Sequence, residues 1–202
     1  VFGIVMIYFP ILWLMLLSLS SRPLSGLPYP LTLEHYAGLF TNSQWLTPLG
    51  ASVLISVLVG VSCMIIATIV ARTITRSGNP LPVMGLSLLP LFVPGLTMGS
   101  ALFIFFRTAL QLNLGFWSIF IAQLIWALPF CLLLVLVVAS RFNLTLLDAA
   151  KDLGATRWQT FRDIEFPILR PGIIGAGLFG FLLSFSELPR SLFVRGQSTT
   201  MP

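Results

Sequence analysis

Few residues in this sequence could carry out acid–base, nucleophilic or metal chemistry. His35 is its one histidine and Lys151 its one lysine, and Cys63 and Cys131 lie in separate apolar runs without CxxC spacing. A Ser/His/Asp triad needs a histidine oriented by a carboxylate, and with a single histidine it is poorly supported. A phosphate-binding loop needs a lysine after a glycine-rich turn, and the GxxxxGK[ST] pattern does not occur. We therefore expect no catalytic residue, metal site or cofactor on this chain, and we expect both cysteines to be packed thiols.

One carboxylate, Glu187, lies at the end of an apolar segment, close to Ser184 and Ser186. A charged group at the centre of a membrane helix costs about 2.5 to 3.5 kcal/mol, and less near the helix ends, so it usually faces protein or water. Two interpretations stay open. Either Glu187 and the serines line a polar path through the membrane, or Glu187 pairs with Arg190 and the serines bond their own helix backbone. Pro94 is a further candidate for such a path because it interrupts its helix.

The elements that must position these residues are membrane-spanning helices. The sequence is 57% hydrophobic and 8% charged, with a mean hydropathy of +1.00. About 20 apolar residues in a helix cross a bilayer, and lipid gives backbone groups no other partner, so the fold class is all-α, a polytopic transmembrane helical bundle. We predict one transmembrane domain over residues 1–202 with a polar loop at 141–171. Its five spans lie near 1–19, 49–71, 81–106, 116–139 and 172–188.

Basic residues decide which way these spans face, because short loops rich in lysine and arginine stay in the cytoplasm. The 11 basic residues divide as seven on one side and four on the other. The side with seven, which includes the loop at 141–171, is therefore expected to be cytoplasmic. The net charge of +5 is spread over several loops and needs no nucleic acid partner to explain it. We expect the transmembrane helices to be in contact with membrane lipid.

The loop at 141–171 has the pattern of two short helices joined by a tight turn. Thr145 and Asp148 form a plausible capping pair for the first helix, since a hydroxyl and a carboxylate both satisfy free amides at a helix start. Gly154 is expected to end that helix in a left-handed conformation. Thr156 and Gln159 have the spacing of a second capping box. Such a loop could also be an amphipathic segment lying on the membrane surface.

The second helix of the loop carries the aromatic residues Trp158 and Phe161, which are natural anchors for a protein partner. Pro167 is expected to end this helix, because the residue before a proline avoids the helical conformation. Small side chains leave room for a partner to approach closely. These are Ala149, Ala150 and Ala155.

The loop resembles the EAA motif of bacterial type I ABC importer permeases. The shared pattern is an acid followed by two alanines, three intervening residues, Gly-Ala, five intervening residues, a phenylalanine, and finally a proline. The family usually has glutamate where this chain has Asp148. In that family the motif forms coupling helices that dock on an ATPase subunit. By this resemblance the ATPase-coupling residues are Asp148, Ala149, Ala150, Gly154, Ala155, Phe161 and Pro167, with Trp158 added as an anchor of this sequence.

The resemblance extends to other segments. The Pro-Gly pattern between Leu89 and Gly95, followed by Gly99, is similar to the third span of these permeases, and 181–188 is similar to the end of their fifth span. The likeness is greatest to the polyamine-type branch, although the acid at Glu187 is displaced by one position from the usual place. Members of this branch normally have a sixth span, so we expect this chain to lack both natural ends.

The resemblance implies a permease subunit of an ATP-driven importer in the bacterial inner membrane. A polyamine such as spermidine or putrescine is the first expected solute, and ferric iron or an aminophosphonate are alternatives. Expected partners are cytoplasmic ABC ATPase subunits that hydrolyse the ATP, a second and different permease subunit, and a periplasmic or lipid-anchored substrate-binding protein. The rival hypotheses are a structural or assembly membrane protein whose loop binds another partner, an intramembrane enzyme, and an ion-driven secondary transporter.

Overall fold

A computed structural model describes residues 2–22, 29–41, 43–77 and 79–196 of the chain. The regular elements within these residues are helices, and they contain no β-strand, so the all-α fold class is confirmed. Val1 and residues 197–202, the two ends of the predicted domain, lie outside the described residues. Contacts between residues divide the chain into two units, residues 1–48 and 49–202.

The first unit contains two helices, α1 (Phe2–Ser18) and α2 (Glu34–Thr41), and the start of α3 (Ser43–Arg76). A bilayer requires about 20 helical residues, and the 17 residues of α1 fall short of that length. The span predicted near 1–19 therefore stays a prediction. Beside α2, the His35 ring nitrogen Nε2 lies 3.1 Å from the carbonyl oxygen of Ser20, so this histidine has a structural hydrogen bond.

The second unit begins within α3 and continues through α4 to α10. The further elements are α4 (Leu81–Leu88), a 3₁₀ turn (Leu89–Phe92), α5 (Gly95–Ile104), a π-helical turn (Phe105–Ala109), α6 (Phe116–Ala139), α7 (Thr145–Asp152), α8 (Arg157–Thr160), a second π-helical turn (Phe161–Glu165), α9 (Phe166–Phe185) and α10 (Pro189–Val194). Three helical stretches of the described residues are long and apolar enough to cross a membrane. They are Gln44–Arg76, Phe116–Ala139 and Arg157–Phe185.

The segment predicted as one span near 81–106 is not a continuous helix. Two helical stretches, Leu81–Phe92 and Gly95–Ala109, meet at a bend of 102°. Pro94 causes the break, since it holds Val93 in an extended conformation with ψ of 121° and is itself the cap residue immediately before α5. The interruption expected at Pro94 is therefore present. By contrast, α6 continues through Pro129 without a break.

The bent pair must nevertheless cross the membrane once. Arg72 near the end of α3 contacts Glu165 just before α9, so the end of α3 and the loop at 141–171 lie on the same side. Between these two points the chain crosses once through α6. An even number of crossings is needed to return to the same side, so residues 77–115 contribute one as well. We therefore treat α4 and α5 as one broken span.

Small residues allow the long helices to pack closely in the second unit. Gly172, Ala176 and Gly180 recur along one side of α9, and all three are buried. A Cβ atom at Gly180 would lie 3.2 Å from the sulfur of Cys131 on α6, and that thiol donates a hydrogen bond of 3.2 Å to the carbonyl of Ala176. These small residues let α9 approach α6 closely, and the prediction that Cys63 and Cys131 are packed thiols is confirmed.

Candidate functional site: the polar hairpin and a buried polar network

We call residues 141–171 the hairpin. Its first helix, α7, begins at Thr145, but the expected capping pair of Thr145 and Asp148 is wrong. The side-chain oxygen Oδ1 of Asn143 instead accepts hydrogen bonds from the Thr145 amide at 3.0 Å and from its hydroxyl at 2.9 Å. Asparagine two residues before the helix competes for the same free amide. Asp148 is left exposed and forms an ion pair with Lys151 at 2.8 Å.

Gly154 makes the turn between the two helices of the hairpin. Its φ angle is +77°, a left-handed conformation that side chains disfavour. The Gly154 amide donates to the Lys151 carbonyl at 2.8 Å, and the Ala155 amide donates to the Ala150 carbonyl at 3.0 Å. These two bonds form a Schellman motif, which satisfies carbonyls at the end of α7. A Cβ atom at Gly154 would meet nothing within 4 Å, so it is the backbone angle and not a lack of space that favours glycine here.

The second helix of the hairpin starts as the sequence predicts but does not stop where expected. The Thr156 hydroxyl accepts from the Gln159 amide at 3.3 Å, and the Gln159 side chain accepts from the Thr156 amide at 2.8 Å, so the capping box is confirmed. The expectation that Pro167 ends this helix is wrong, because a helical path continues from Arg157 to Phe185. In the π-helical turn the Phe166 amide bonds the Phe161 carbonyl five residues earlier.

That wider turn explains why Pro167 is tolerated. In a regular α-helix the proline ring would clash with the carbonyl four residues before it, that of Asp163. A π-helical turn has a larger radius and a different hydrogen-bond register, which leaves room for the ring. Pro167 therefore lies in the first turn of α9, and the hairpin is joined directly to a membrane-spanning helix.

The exposed surface of the hairpin lies at its turn and on α8. Leu153 is 88% exposed and Trp158 is 65% exposed, and Asp148 and Ala149 are exposed as well. The other predicted coupling residues differ in their surroundings. Pro167 is exposed, Ala155 and Phe161 are half-buried, and Ala150 is buried inside the hairpin, where it supports packing.

Three charged residues that the sequence analysis did not single out as a group join the hairpin to α3. Glu165 is buried, its side chain 4% exposed. Its oxygen Oε2 accepts a hydrogen bond from Nε of Arg72 at 2.6 Å, and its oxygen Oε1 accepts from Nη2 of Arg76. We call Arg72, Arg76 and Glu165 the clamp. A sequence signal did exist, because arginines four residues apart at the end of an apolar run share one helix face.

At the other end of α9 lies a second group, which we call the polar network: Gln123, Ser184, Glu187, Arg190 and Ser191. Glu187 forms an ion pair with Arg190 at 2.6 Å, and their side chains are 8% and 5% exposed. The Gln123 amide donates to the Ser191 hydroxyl at 2.9 Å, and the Ser184 hydroxyl donates to the Gln123 carbonyl oxygen. The network thus connects α6, α9 and α10 through buried hydrogen bonds.

The guanidinium group of Arg190 has a further contact with α6. Its central carbon lies 3.7 Å from the centroid of the Trp126 ring, a cation–π geometry. A Cβ atom at Gly95 would lie 3.1 Å from the same guanidinium group, so the start of α5 also approaches Arg190 closely. Of the two interpretations of Glu187, its pairing with Arg190 is therefore present in the structure.

The other predicted path residues are not part of this network. Ser186 is exposed and donates a hydrogen bond of 2.9 Å to the Leu182 carbonyl of its own helix. Pro94 is exposed at the break before α5. Glu187 itself lies beyond α9, which ends at Phe185, so the span predicted to reach 188 is shorter at this end. The translocation path through Pro94, Ser184, Ser186 and Glu187 stays a prediction.

Within the described part of the chain, no group of three or more His, Cys, Asp or Glu side chains is arranged to hold a metal ion. The charged side chains described above form ion pairs: Asp148 with Lys151, Glu165 with Arg72 and Arg76, and Glu187 with Arg190. The clamp and the polar network join helices to one another, and the exposed face of the hairpin is available to a protein partner.

Long apolar helices, one span broken at a proline and an exposed polar hairpin define a polytopic helical membrane protein with a surface for a partner. The chain belongs to the family of binding-protein-dependent transport system inner membrane components, which matches residues 81–196. It is 28% identical to the spermidine/putrescine transport system permease protein PotC of Escherichia coli strain K12, over 95% of this chain and 73% of that protein.

Two further relatives have similar names. A PotC homolog of Mycoplasma genitalium is 30% identical over 98% of this chain and 75% of its own length. The putrescine transport system permease protein PotI of E. coli strain K12 is 30% identical over 99% of this chain and 74% of its own. The resemblance stated from the sequence is confirmed: the chain is a permease subunit of a binding-protein-dependent ABC transporter.

Proposed function

We propose that this permease subunit imports a polyamine across the bacterial cytoplasmic membrane, driven by ATP that a separate ATPase subunit hydrolyses. The exposed face of the hairpin is the observation that carries the proposal. Leu153 and Trp158 are large apolar side chains, 88% and 65% exposed, on a rigid and capped element. Exposed apolar side chains on a polar protrusion are typical of a protein-binding surface.

The hairpin is the docking site for the ATPase in this proposal. Trp158 and Leu153 supply apolar contact area, and the Schellman turn at Gly154 fixes the angle between α7 and α8. Because α8 continues into α9, a displacement of the hairpin reaches a membrane-spanning helix without an intervening flexible loop. Rocking of the spans then opens the solute path to one side at a time. The permease needs no cofactor of its own.

Charge distribution supports a cytoplasmic position for the hairpin. The clamp brings Arg72 and Arg76 to the same side as the hairpin's own basic residues, which is the side with seven of the 11 basic residues. Short basic segments remain in the cytoplasm. The proposal therefore places the substrate-binding protein at the opposite, outer face, and a second, different permease subunit beside this one in the membrane.

Polyamine is the proposed solute because the relatives named above are spermidine and putrescine permeases. Ferric iron and an aminophosphonate are the alternatives. The buried carboxylate of Glu187 is already neutralised by Arg190, so the polar network does not present a free negative charge to a cation. A screen of the reconstituted complex for the loaded binding protein that stimulates its ATPase would identify the solute.

Photo-cross-linking tests the docking surface directly. A photoreactive phenylalanine analogue in place of Trp158 should capture a P-loop ATPase in native membranes. Trp117 provides the matched control, because it is 67% exposed but lies at the start of α6, away from the hairpin. Capture from position 158 but not 117 supports the proposal. Failure to capture an ATPase from 158, or capture of a different protein in its place, would favour a structural or assembly role.

A further inference from the structure

Glu165 is a buried charge with two partners on a distant part of the chain. Arg72 and Arg76 lie 93 and 89 residues away in sequence and bind different oxygens of the same carboxylate. A carboxylate that is 4% exposed is stable as a charge only when it is paired and hydrogen-bonded. Both carboxylate oxygens are thus committed to α3, and the contact fixes the position of Glu165 relative to that helix.

Arg72 contacts the same part of the hairpin a second time. Its guanidinium carbon lies 4.4 Å from the centroid of the Phe161 ring. Phe161 and Glu165 are the first and last residues of the π-helical turn. Arg72 therefore holds both ends of this turn, through a cation–π contact at one end and an ion pair at the other. π-helical turns are rare in proteins, and those that occur are often found at functional sites.

One side of the clamp borders an open cavity, so on that side the ion pairs are the contacts that join α3 to the hairpin. A cavity of about 560 Å³ lies between the end of α3 and the two hairpin helices, bordered by Arg76, Asp148, Lys151, Thr160 and Glu165. Side chains do not fill this space, so Arg76 and the facing side chains of Asp148 and Lys151 are not closely packed across it. The charged contacts bridge the edge of the cavity.

The geometry points to the clamp as a set of positioning residues that make the cytoplasmic end of α3 move together with the hairpin. The hairpin is joined by the peptide chain to α6 at one end and to α9 at the other. The clamp adds α3, which has no such link. A displacement imposed on the hairpin then reaches three membrane-spanning helices at once. This inference rests on the proposed function, in which an ATPase moves the hairpin.

A distance measurement tests whether α3 and the hairpin move as one body. Spin labels would be placed at Thr73 on α3 and at Asp152 at the end of α7, both exposed, in the complete complex with its ATPase. With the clamp intact, we expect one narrow distance that is the same without nucleotide and with ATP plus vanadate. With Glu165→Gln, we expect a broader distribution that shifts when nucleotide binds, because the charge that holds both arginines is gone.

Asp163→Asn is the matched control. Asp163 lies in the same π-helical turn and also pairs with an arginine, Arg162, but that pair is exposed. Exposed pairs contribute little, so this variant should keep the narrow, nucleotide-independent distance. In proteoliposomes with ATP inside and spermidine-bound binding protein outside, Glu165→Gln should lower spermidine uptake per ATP hydrolysed roughly tenfold, within the 5- to 150-fold range that corresponds to typical coupling energies.

Binding of the ATPase, measured by co-purification, should be unchanged in Glu165→Gln. An unchanged, nucleotide-independent distance in this variant would overturn the clamp, and so would loss of ATPase binding, which would assign Glu165 to hairpin structure. The proposed function fails on different observations. A wild-type complex that contains no ATPase would refute the coupling role of the hairpin. A wild-type complex that hydrolyses ATP without moving spermidine would refute the choice of solute, and the distance measurement would still test whether the clamp holds α3 to the hairpin.

Discussion

Replacing Glu187 with glutamine removes one charge of a buried ion pair. Both side chains are at least nine-tenths buried, the guanidinium of Arg190 rests on Trp126, and Oε1 of Glu187 also accepts the Arg190 amide at 3.1 Å. Breaking a buried pair by removing one partner costs about 3 to 5 kcal/mol, because the other charge stays buried without compensation. Glutamine can still accept hydrogen bonds, so we expect a loss of about 3 kcal/mol.

A double-mutant cycle isolates the contribution of the pair. Arg190→Met keeps an unbranched apolar stem against Trp126 and removes the charge. Combined with Glu187→Gln, it leaves no uncompensated charge, so we expect the double variant to regain most of the lost stability. The assay is the unfolding midpoint of the purified complex in detergent. A loss of 3 kcal/mol corresponds to a midpoint shift of roughly 6 to 12 °C for a chain of this size.

The outcome also decides what Glu187 does in transport. If Glu187 lines a polar path, Glu187→Gln should impair uptake and leave assembly intact, whereas the buried pair predicts that stability falls as well. A Glu187→Gln variant that unfolds within about 1 °C of wild type would refute the reasoning from the ion pair. Additive losses in the double variant would refute it too. If the double variant regains stability but not uptake, the Glu187–Arg190 pair belongs to the translocation path.

Three further substitutions have clear expectations. Gly154→Val should reduce uptake per ATP, because a side chain at positive φ costs roughly 1 to 2 kcal/mol and a β-branched one costs more. Gly154→Asn should keep coupling, because asparagine tolerates positive φ. Equal uptake per ATP in the two variants would contradict this. Gly60→Ala should destabilise the complex by about 1 to 3 kcal/mol in thermal unfolding, since its Cβ would lie 2.7 Å from the Gly177 carbonyl oxygen. Gly175→Ala is the control and should not destabilise the complex, since its Cβ would meet nothing within 4 Å. Trp158→Ala should weaken ATPase binding by about 2 kcal/mol in a titration, with Trp117→Ala unchanged; comparable losses in both would exclude a specific anchor.

Local patterns in the sequence predicted most of the hairpin. The turn at Gly154 and the capping box of Thr156 and Gln159 depend on neighbours within a few residues, so their signals are complete in the sequence. The end of the second helix was predicted wrongly at Pro167. A proline usually stops a helix, and no local pattern indicates that a π-helical turn would make room for its ring. The first cap was also wrong, because Asn143 competes with Thr145.

The buried charged contacts could not be predicted from the chain alone. Glu165 is separated from Arg72 by two membrane crossings, and nothing in either local sequence specifies the other as its partner. The pair of Glu187 and Arg190 is three residues apart and was one of two open interpretations. Its contact with Trp126 and the hydrogen bonds of Gln123 depend on how α6, α9 and α10 pack.

By itself, the sequence determined that this protein lies in a membrane, that its spans are helical, and that a polar hairpin follows the fourth apolar run. Those features follow from the length of apolar runs and from backbone hydrogen bonding, which are local properties. Only the tertiary structure decided that the third span is broken by 102°, that α3 is held to the hairpin by Glu165, and that Glu187 is neutralised by Arg190. Burial changes the cost of a charge, and burial is set by helices that are distant in sequence.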